Sequence, residues 1–348
     1  MNSTGESRRY LFFVTQNYSF EILRPLEREI LRRGDEVAWF ISPPADPGLL
    51  NRGERRFERV AQARGYQPEA VFAPGNVVPH FFPGIKVQVF HGLEWKKKGH
   101  LSVRGMFHLY CTHGPVATDW FLAEARRDPH FRVVETGWTK MDAIVAAEAQ
   151  PRPENGRPLL LYAPTFSPSL TSAPTLLDSI RELARSGKWD IWVKFHPKMD
   201  RETVAGYTAA QSRHLRVVDG PLGPFLQAAD LLLSDTSSVI YEFLLLDKPV
   251  VTYGNRVPDD ASVDIRDASE LESALRGAVS ADPERDARRR AYIQKVHPFS
   301  DGRSSARVMD AVEAMLRGDL RCQRPLPRNM FRKLRMRWEM KYFGPAGD

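Results

Sequence analysis

Short apolar runs alternate with stretches of helical spacing along most of the chain. Residues 10–15, 36–41, 70–73, 86–90, 107–112 and 132–135 have strand character. Between the first two, Phe20, Leu23, Leu26 and Ile30 fall on one face of a helix over 19–33, and Gly34 supplies a stop signal. Residues 55–64 read as a second helix, and Gly114-Pro115 opens another. The pattern lapses at 149–158, a Pro-rich polar stretch (AQPRPENGRP) with the character of a linker. It restarts with strands at 159–163, 191–195, 215–218, 231–234 and 250–253. Helices at 175–186, 201–212, 224–229 and 237–246 separate them. Near-continuous apolar strands alternating with helices are the mark of buried parallel sheets. The expected fold is α/β, with two doubly wound Rossmann-like domains facing a cleft. The expected boundaries are 1–148 for the first domain, 149–158 for the linker, 159–316 for the second domain and 317–348 for a tail. Ligands of such sheets bind beyond the carboxyl ends of the strands, so residues there are the ones to weigh.

Length and charge refine this picture. A chain of 348 residues exceeds what one core usually holds, which favours two domains. The two cysteines, Cys111 and Cys322, are far apart and form neither a disulfide framework nor a zinc pattern. No signal segment and no membrane-spanning run is evident, so a cytoplasmic setting is expected. The net charge is +7, and from Arg317 onward nine Lys/Arg stand against three acids. Nearly all the excess is thus in the tail, which argues against a nucleic-acid binder with a broad basic face.

Five motifs end or follow predicted strands. Ser234-Asp235-Thr236-Ser237-Ser238 closes a buried strand and opens a helix, so hydroxyls and free N–H groups meet where an anion would be welcome. Glu242 lies one turn further on, within reach of ribose hydroxyls. The same residues also make an ordinary helix cap. Lys194 and His196 project to the same side of a strand end, a pairing that suits a diphosphate or a leaving group; a solvated lysine beside a turn histidine is the plainer alternative. His91-Gly92 ends a strand of the first domain, with Gly92 expected to allow a sharp turn and His91 able to take a proton from a hydroxyl. Lys96 and Lys97 follow it and would attract an acidic acceptor. Thr165, in Tyr162-Ala-Pro-Thr-Phe166, and Arg303 and Arg307, in Asp301-Gly-Arg-Ser-Ser-Ala-Arg307, are further candidates for holding phosphate. His113-Gly114 is read as structural. Walker A, GxGxxG, HExxH and strand-end Asp-x-Asp patterns do not occur, so a reaction without a metal or other cofactor is expected.

The series HG with following lysines, YAPTF, KFHP, SDTSSVIYEFLLLDKPVV and DGRSSAR resembles the CDP-glycerol glycerophosphotransferase family of teichoic-acid and capsule synthesis. The resemblance implies a metal-independent glycosyltransferase-B fold and CDP-glycerol as donor. It makes His91 the base on the acceptor hydroxyl and His196 a contact to donor phosphate. Thr236, Ser237 and Ser238 become the phosphate cradle, with Glu242 one turn on and Arg307 closing the last motif. The acceptor implied is a lipid-linked or polymeric envelope glycan. Leu93-Glu94-Trp95 stand where the family usually has a Thr and a Pro, which leaves the acceptor open. A nucleotide-sugar glycosyltransferase, a UDP-sugar 2-epimerase-like isomerase and a polyanion-binding assembly factor are the other readings.

In the tail, Phe331, Leu334, Trp338 and Tyr342 recur at helical spacing while Arg332, Lys333, Arg335 and Arg337 take the other faces. This is a basic amphipathic helix, suited either to an anionic membrane surface on the inner face of the cell membrane or to packing on the first domain.

Overall fold

The computed structural model describes residues 7–93 and 101–342. The chain divides into two compact units, one of Met1–Ala143 with Val296–Asp348 and one of Ile144–Lys295. Each is built on its own parallel sheet.

The first unit contains strands β1 (Arg9–Val14), β2 (Glu36–Ile41), β3 (Arg56–Phe57), β4 (Ala70–Ala73), β5 (Ile85–Gln88), β6 (Leu109–Thr112) and β7 (Arg132–Glu135). Their spatial order is β3-β2-β1-β4-β5-β6-β7, the doubly wound arrangement that reverses beside β1. Both faces of β1 are buried, as expected of a strand covered by helices on two sides. Phe12 packs edge-on against Trp39 at 4.8 Å and against Phe72 at 5.8 Å. Leu11, Phe13 and Phe40 join the core cluster with Val71 and Ala73. The helix Ser19–Arg32 buries Phe20, Ile22, Leu23, Leu26 and Ile30. The stretch expected as a helix over 55–64 splits into β3 and the short helix Val60–Gly65. The β-pairing of Phe57 with Phe40 accounts for the difference.

The second unit contains β8 (Leu159–Tyr162), β9 (Asp190–Lys194), β10 (Leu215–Val218), β11 (Leu231–Ser234), β12 (Val250–Tyr253) and β13 (Val263–Ile265), in the order β10-β9-β8-β11-β12-β13. The short edge strand β13 was not expected from its sequence, where polar Asp264 interrupts the apolar pattern. The chain runs outward from β8 to β10 and then crosses to β11 on the other side of β8. The switch point therefore lies between the carboxyl ends of β8 and β11.

Two expected boundaries do not hold. The stretch 149–158 is fastened to the second unit instead of hanging free as a linker. Arg152 forks onto Asp230 at 2.8 and 2.7 Å, Asn155 reaches Asp190 at 2.7 Å, and Arg157 donates to the Gly187 carbonyl. A bidentate guanidinium–carboxylate pair orders even a Pro-rich segment. The second correction concerns residues from Val296 on, which return to the first unit. The helix Ser304–Arg317 buries Val308, Met309, Ala311 and Val312 and lies against the helix Ser19–Arg32. Arg33 pairs with Asp310 at 2.8 Å and Glu313 at 2.6 Å. The start of that returning helix is capped from another element, since Asp142 accepts the N–H groups of Ser304 and Ser305 at 2.8 and 2.6 Å. Gly114 permits the close approach, because a Cβ there would stand 2.4 Å from the Val296 carbonyl oxygen.

His297 completes the attachment. Its Nε2 accepts the Trp138 N–H at 2.9 Å, which requires a neutral ring there. Burial pushes His297 down to about 4, and burial, with help from Lys86, does the same to His108. Both rings stay neutral in the fold but take a proton in the unfolded chain below about pH 6.5. Their contribution to stability is thus complete above that pH and is lost as pH falls toward 4. Unfolding free energies from urea titrations are expected to fall over this window by on the order of 1 kcal/mol per pH unit for each histidine. In His297→Asn the slope should be shallower by one histidine's share, and an unchanged slope would remove His297 from the explanation.

Candidate functional site

The second unit gathers its predicted residues at the switch point. Asp235 follows β11 directly and is fully buried. Its Oδ1 accepts the N–H groups of Thr165 at 2.9 Å and Thr236 at 2.7 Å. Its Oδ2 accepts both the N–H and the hydroxyl of Ser172 at 2.9 Å. Four donors converge on one carboxylate. Asp235 was expected to contact the donor; it instead ties the loop after β8 to the loop after β11, with both oxygens occupied inside the protein. Ser234 reinforces the tie by donating to the Ala163 carbonyl at 2.7 Å.

That clamp sets the placement of Thr165, Thr236, Ser237 and Ser238. Thr236 and Ser237 are half-buried and Ser238 is exposed. The Thr236 hydroxyl accepts the Arg256 N–H at 3.3 Å, and the Ser237 hydroxyl accepts the Val239 N–H at 3.4 Å. The N–H groups of Ser237 and Ser238 engage no acceptor among the described residues. The helix that follows is shorter than expected, Val239–Leu244, so these loop donors, more than a long helix dipole, make the crevice receptive to an anion. Glu242 sits on that helix at 1% exposure. It was expected to reach ribose hydroxyls, but it is sealed within the unit.

Strand β9 brings in the other pair. Lys194 ends it, 11% exposed, with its ammonium 3.4 Å from Asp219. The Gly220 N–H and then the Lys194 charge hold the Asp219 carboxyl below its usual range. His196 is exposed, and its Nδ1 accepts the Lys198 N–H at 3.0 Å. The neutral ring therefore carries its proton on Nε2. Its face stacks on Phe166 at 4.4 Å. Phe166, two residues from the β8 loop's Pro164, thereby joins the ends of β8 and β9. Its role was not foreseen, because an aromatic next to a turn proline looks like core.

The first unit holds His91 three residues beyond β5. The ring is half-buried and lies 5.5 Å from the ring of Tyr18, whose hydroxyl burial pushes upward. The backbone turn falls elsewhere than expected. Gly92 lacks a left-handed conformation, while Phe90 adopts φ +54°. For a bulky aromatic this costs on the order of 1–3 kcal/mol. Packing against Tyr110, His113 and Phe121 holds it there. The strain aims His91 out of the strand direction, and it ends β5 at Gln88 instead of residue 90.

Arg303 and Arg307 travel with the returning segment, so both belong to the first unit and not to the second as expected. Arg303 is exposed at the start of the helix Ser304–Arg317. Arg307 is engaged by Asp301, lies 4.0 Å from the Phe299 ring and contacts the Thr136 carbonyl. Lys96 and Lys97 lie outside the described residues. Among the described residues no group of three or more His, Cys, Asp or Glu is placed to hold a metal ion.

The family model described as CDP-glycerol:poly(glycerophosphate) glycerophosphotransferase matches residues 118–314, more than half of the chain. The chain belongs to this glycerophosphotransferase family. The matched stretch takes in Thr165, the Lys194–His196 pair, Asp235–Ser238, Glu242 and Arg307. Among curated proteins it is similar to the teichoic acid glycerol-phosphate primase of Bacillus spizizenii, with 38% identity over 97 residues. That match spans 27% of this chain and 25% of the relative, so the chain covers about a quarter of that protein's length. Among solved structures, the wall teichoic acid polymerase TagF aligns with TM-score 0.63 and 14% identity over 89% of each chain. MnaA of S. aureus with UDP aligns with TM-score 0.64 and 12% identity, covering 92% of this chain and 99% of that one. At such identities the two structures speak to the fold: a pair of parallel α/β sheets of the glycosyltransferase-B kind.

Within this glycerophosphotransferase-family chain, the clamp can be tested without a substrate. Asp235→Asn keeps shape but sets an NH2 group or a weaker acceptor against donors that need a carboxylate. Leaving buried donors unpaired costs about 1–3 kcal/mol each. The variant is expected to lose about 3 kcal/mol in urea unfolding and to speed amide exchange at Thr165 and Ser172. Wild-type stability with unchanged exchange would show that Asp235 does not organise the crevice.

Proposed function

We propose that the protein transfers glycerol phosphate from CDP-glycerol to a hydroxyl of a lipid-linked or polymeric cell-envelope glycan and releases CMP. The observation that carries this reading is the crevice at the β8–β11 switch point, with partly exposed hydroxyls, open N–H groups and the Nε2–H of His196, in a chain of the glycerophosphotransferase family. In the proposed step His91 takes the proton of the acceptor hydroxyl. The acceptor oxygen forms a bond to the phosphorus that carries glycerol. The bond from that phosphorus to the bridging oxygen breaks, and CMP leaves with the electron pair.

The second unit's residues meet the charge on the departing CMP. The open N–H groups of Ser237 and Ser238, the hydroxyls of Thr165 and Thr236, the Nε2–H of His196 and the Lys194 ammonium are the donors. Phosphoryl transfer relies chiefly on positioning and on stabilising spread negative charge, which is what such a donor set supplies. Arg303 and Arg307, on the first unit, are candidate cations for a phosphate group. No resident cofactor or metal is needed for the step as written.

Calorimetry with CDP-glycerol, followed by an assay of CMP release with an envelope lipid extract as acceptor source, tests the reading. His91→Ala is expected to bind CDP-glycerol as the wild type does and to lose roughly 10²–10⁴-fold in CMP release. No saturable binding of CDP-glycerol by the wild type would reject the donor. Undiminished release by the variant would reject the base.

The proposal includes a cytoplasmic protein that works on the inner face of the membrane. Among the described residues no helix is long and apolar enough to cross a bilayer. The helix Met330–Glu339 instead has features of a surface element. Met336 is buried against the first unit, and the Tyr342 ring just beyond faces inward onto Phe81 at 4.8 Å. Tyr342 thus leaves the apolar stripe to which its spacing assigned it. Phe331 (91% exposed), Leu334 and Trp338 (84% exposed) remain on the open side, with Arg332 and Arg335 beside them. Aromatic and basic groups together suit an anionic leaflet. Phe331→Glu with Trp338→Glu is expected to abolish co-sedimentation with phosphatidylglycerol vesicles; retained co-sedimentation would leave the helix without this role.

A further inference from the structure

At the amino ends of β5 and β6, the opposite edge of the first sheet from His91, lies a cavity of about 300 Å³. That size is at the lower end of small-molecule sites, roughly 300–1,000 Å³. His80, Lys86 and His108 line it from the sheet side, and Asn329 and Lys333 from the C-terminal helix. Among the described residues no carboxylate lines it.

The polar groups in this wall are donors. Lys86 is 3% exposed, and its ammonium is held by the carbonyls of Phe82, Pro83 and Gly84 at 2.7, 3.3 and 2.5 Å. Its protons are consumed there, so it contributes charge without a free bond. His108 Nδ1 accepts the Lys86 N–H at 2.9 Å, which leaves the proton of the neutral ring on Nε2. Asn329 spends its amide on the carbonyls of Arg104 and Gly105. His80 is different: both ring nitrogens are buried and neither has a hydrogen-bond partner among the described residues. Buried polar atoms without partners are rare and ask for a ligand or ordered water. The charges of Arg337, Lys333 and Lys86, after burial, push His80 down to about 4, which reports a positive local field. The Arg337 Nε is likewise buried without a partner.

We propose that this cavity is an anion site that takes a phosphate group between His80, His108 and Lys333. An unprotonated phosphate oxygen only accepts hydrogen bonds, and the cavity offers the Nε2–H of His108, one N–H of His80 and the Lys333 ammonium. The positive field has no counter-charge in the wall, so an anion supplies what the protein omits. Two sources share this chemistry, a free phosphate and a phospholipid headgroup, since the wall helix carries the exposed Phe331 and Trp338.

Long-range proton–nitrogen spectra of the histidine rings, recorded on the full chain during titration with inorganic phosphate, test the site without any substitution. The His80 and His108 signals are expected to shift saturably, apart from any response of His196. In a second arm, co-sedimentation is measured with phosphatidylcholine vesicles with and without phosphatidylglycerol. His80→Gln and Lys333→Glu should each weaken the anion-dependent signal at least about tenfold, the loss of one charge-assisted bond. A response to phosphate alone identifies a free anion as the ligand. A His80-dependent gain with phosphatidylglycerol identifies the headgroup. If the His80 and His108 signals stay fixed in phosphate and vesicle binding is indifferent to His80→Gln, the proposal is overturned.

Discussion

A single buried carboxylate holds the second unit's crevice together. Asp235 gathers four donors from three residues in two loops, and a carboxylate that paired with none of them would be a costly buried charge. The loops after β8 and β11 leave paired parallel strands at the switch point, and beyond the pairing the carboxylate holds them together. Thr165, Thr236 and Ser237 depend on that junction for their positions, and through Phe166 so does the face on which His196 rests.

The first unit reaches an ordered site by a different route. Its candidate base stands after a residue in an unfavourable conformation, and an aromatic cluster absorbs the cost. Phe90 is wedged among Tyr110, His113 and Phe121, each itself deep in the core. One unit thus spends hydrogen bonds and the other spends packing to set a side chain at a strand end.

Much of this was legible in the residues. Period and composition placed every strand except the short edge strands β3 and β13 within a residue or two, because buried parallel strands leave a near-continuous apolar signature. The strand-end motifs led to Thr165, Lys194, His196 and the Ser234–Ser238 segment, where the family model also falls. What was hidden depended on contacts distant in sequence. Asp235 looks like a surface cap until Ser172 arrives 63 residues away. Glu242 looks available until its helix is seated. Arg152 sits in a segment whose prolines suggest slack, yet its partner Asp230 holds it fast. Gly92 seemed the natural pivot, but a neighbouring aromatic takes that conformation because tertiary packing outweighs local preference.

The return of the chain at Val296 bears on how the polypeptide comes into being. The second unit is an uninterrupted segment and can be completed as soon as it leaves the ribosome. The first is not, because the partners of Asp142, Trp138 and Arg33 follow the whole second unit in the sequence. Its sheet is made early and waits, with the outer side of the helix Ser19–Arg32 uncovered, until the closing helix emerges. The first unit, although its sheet is made first, is therefore completed after the second.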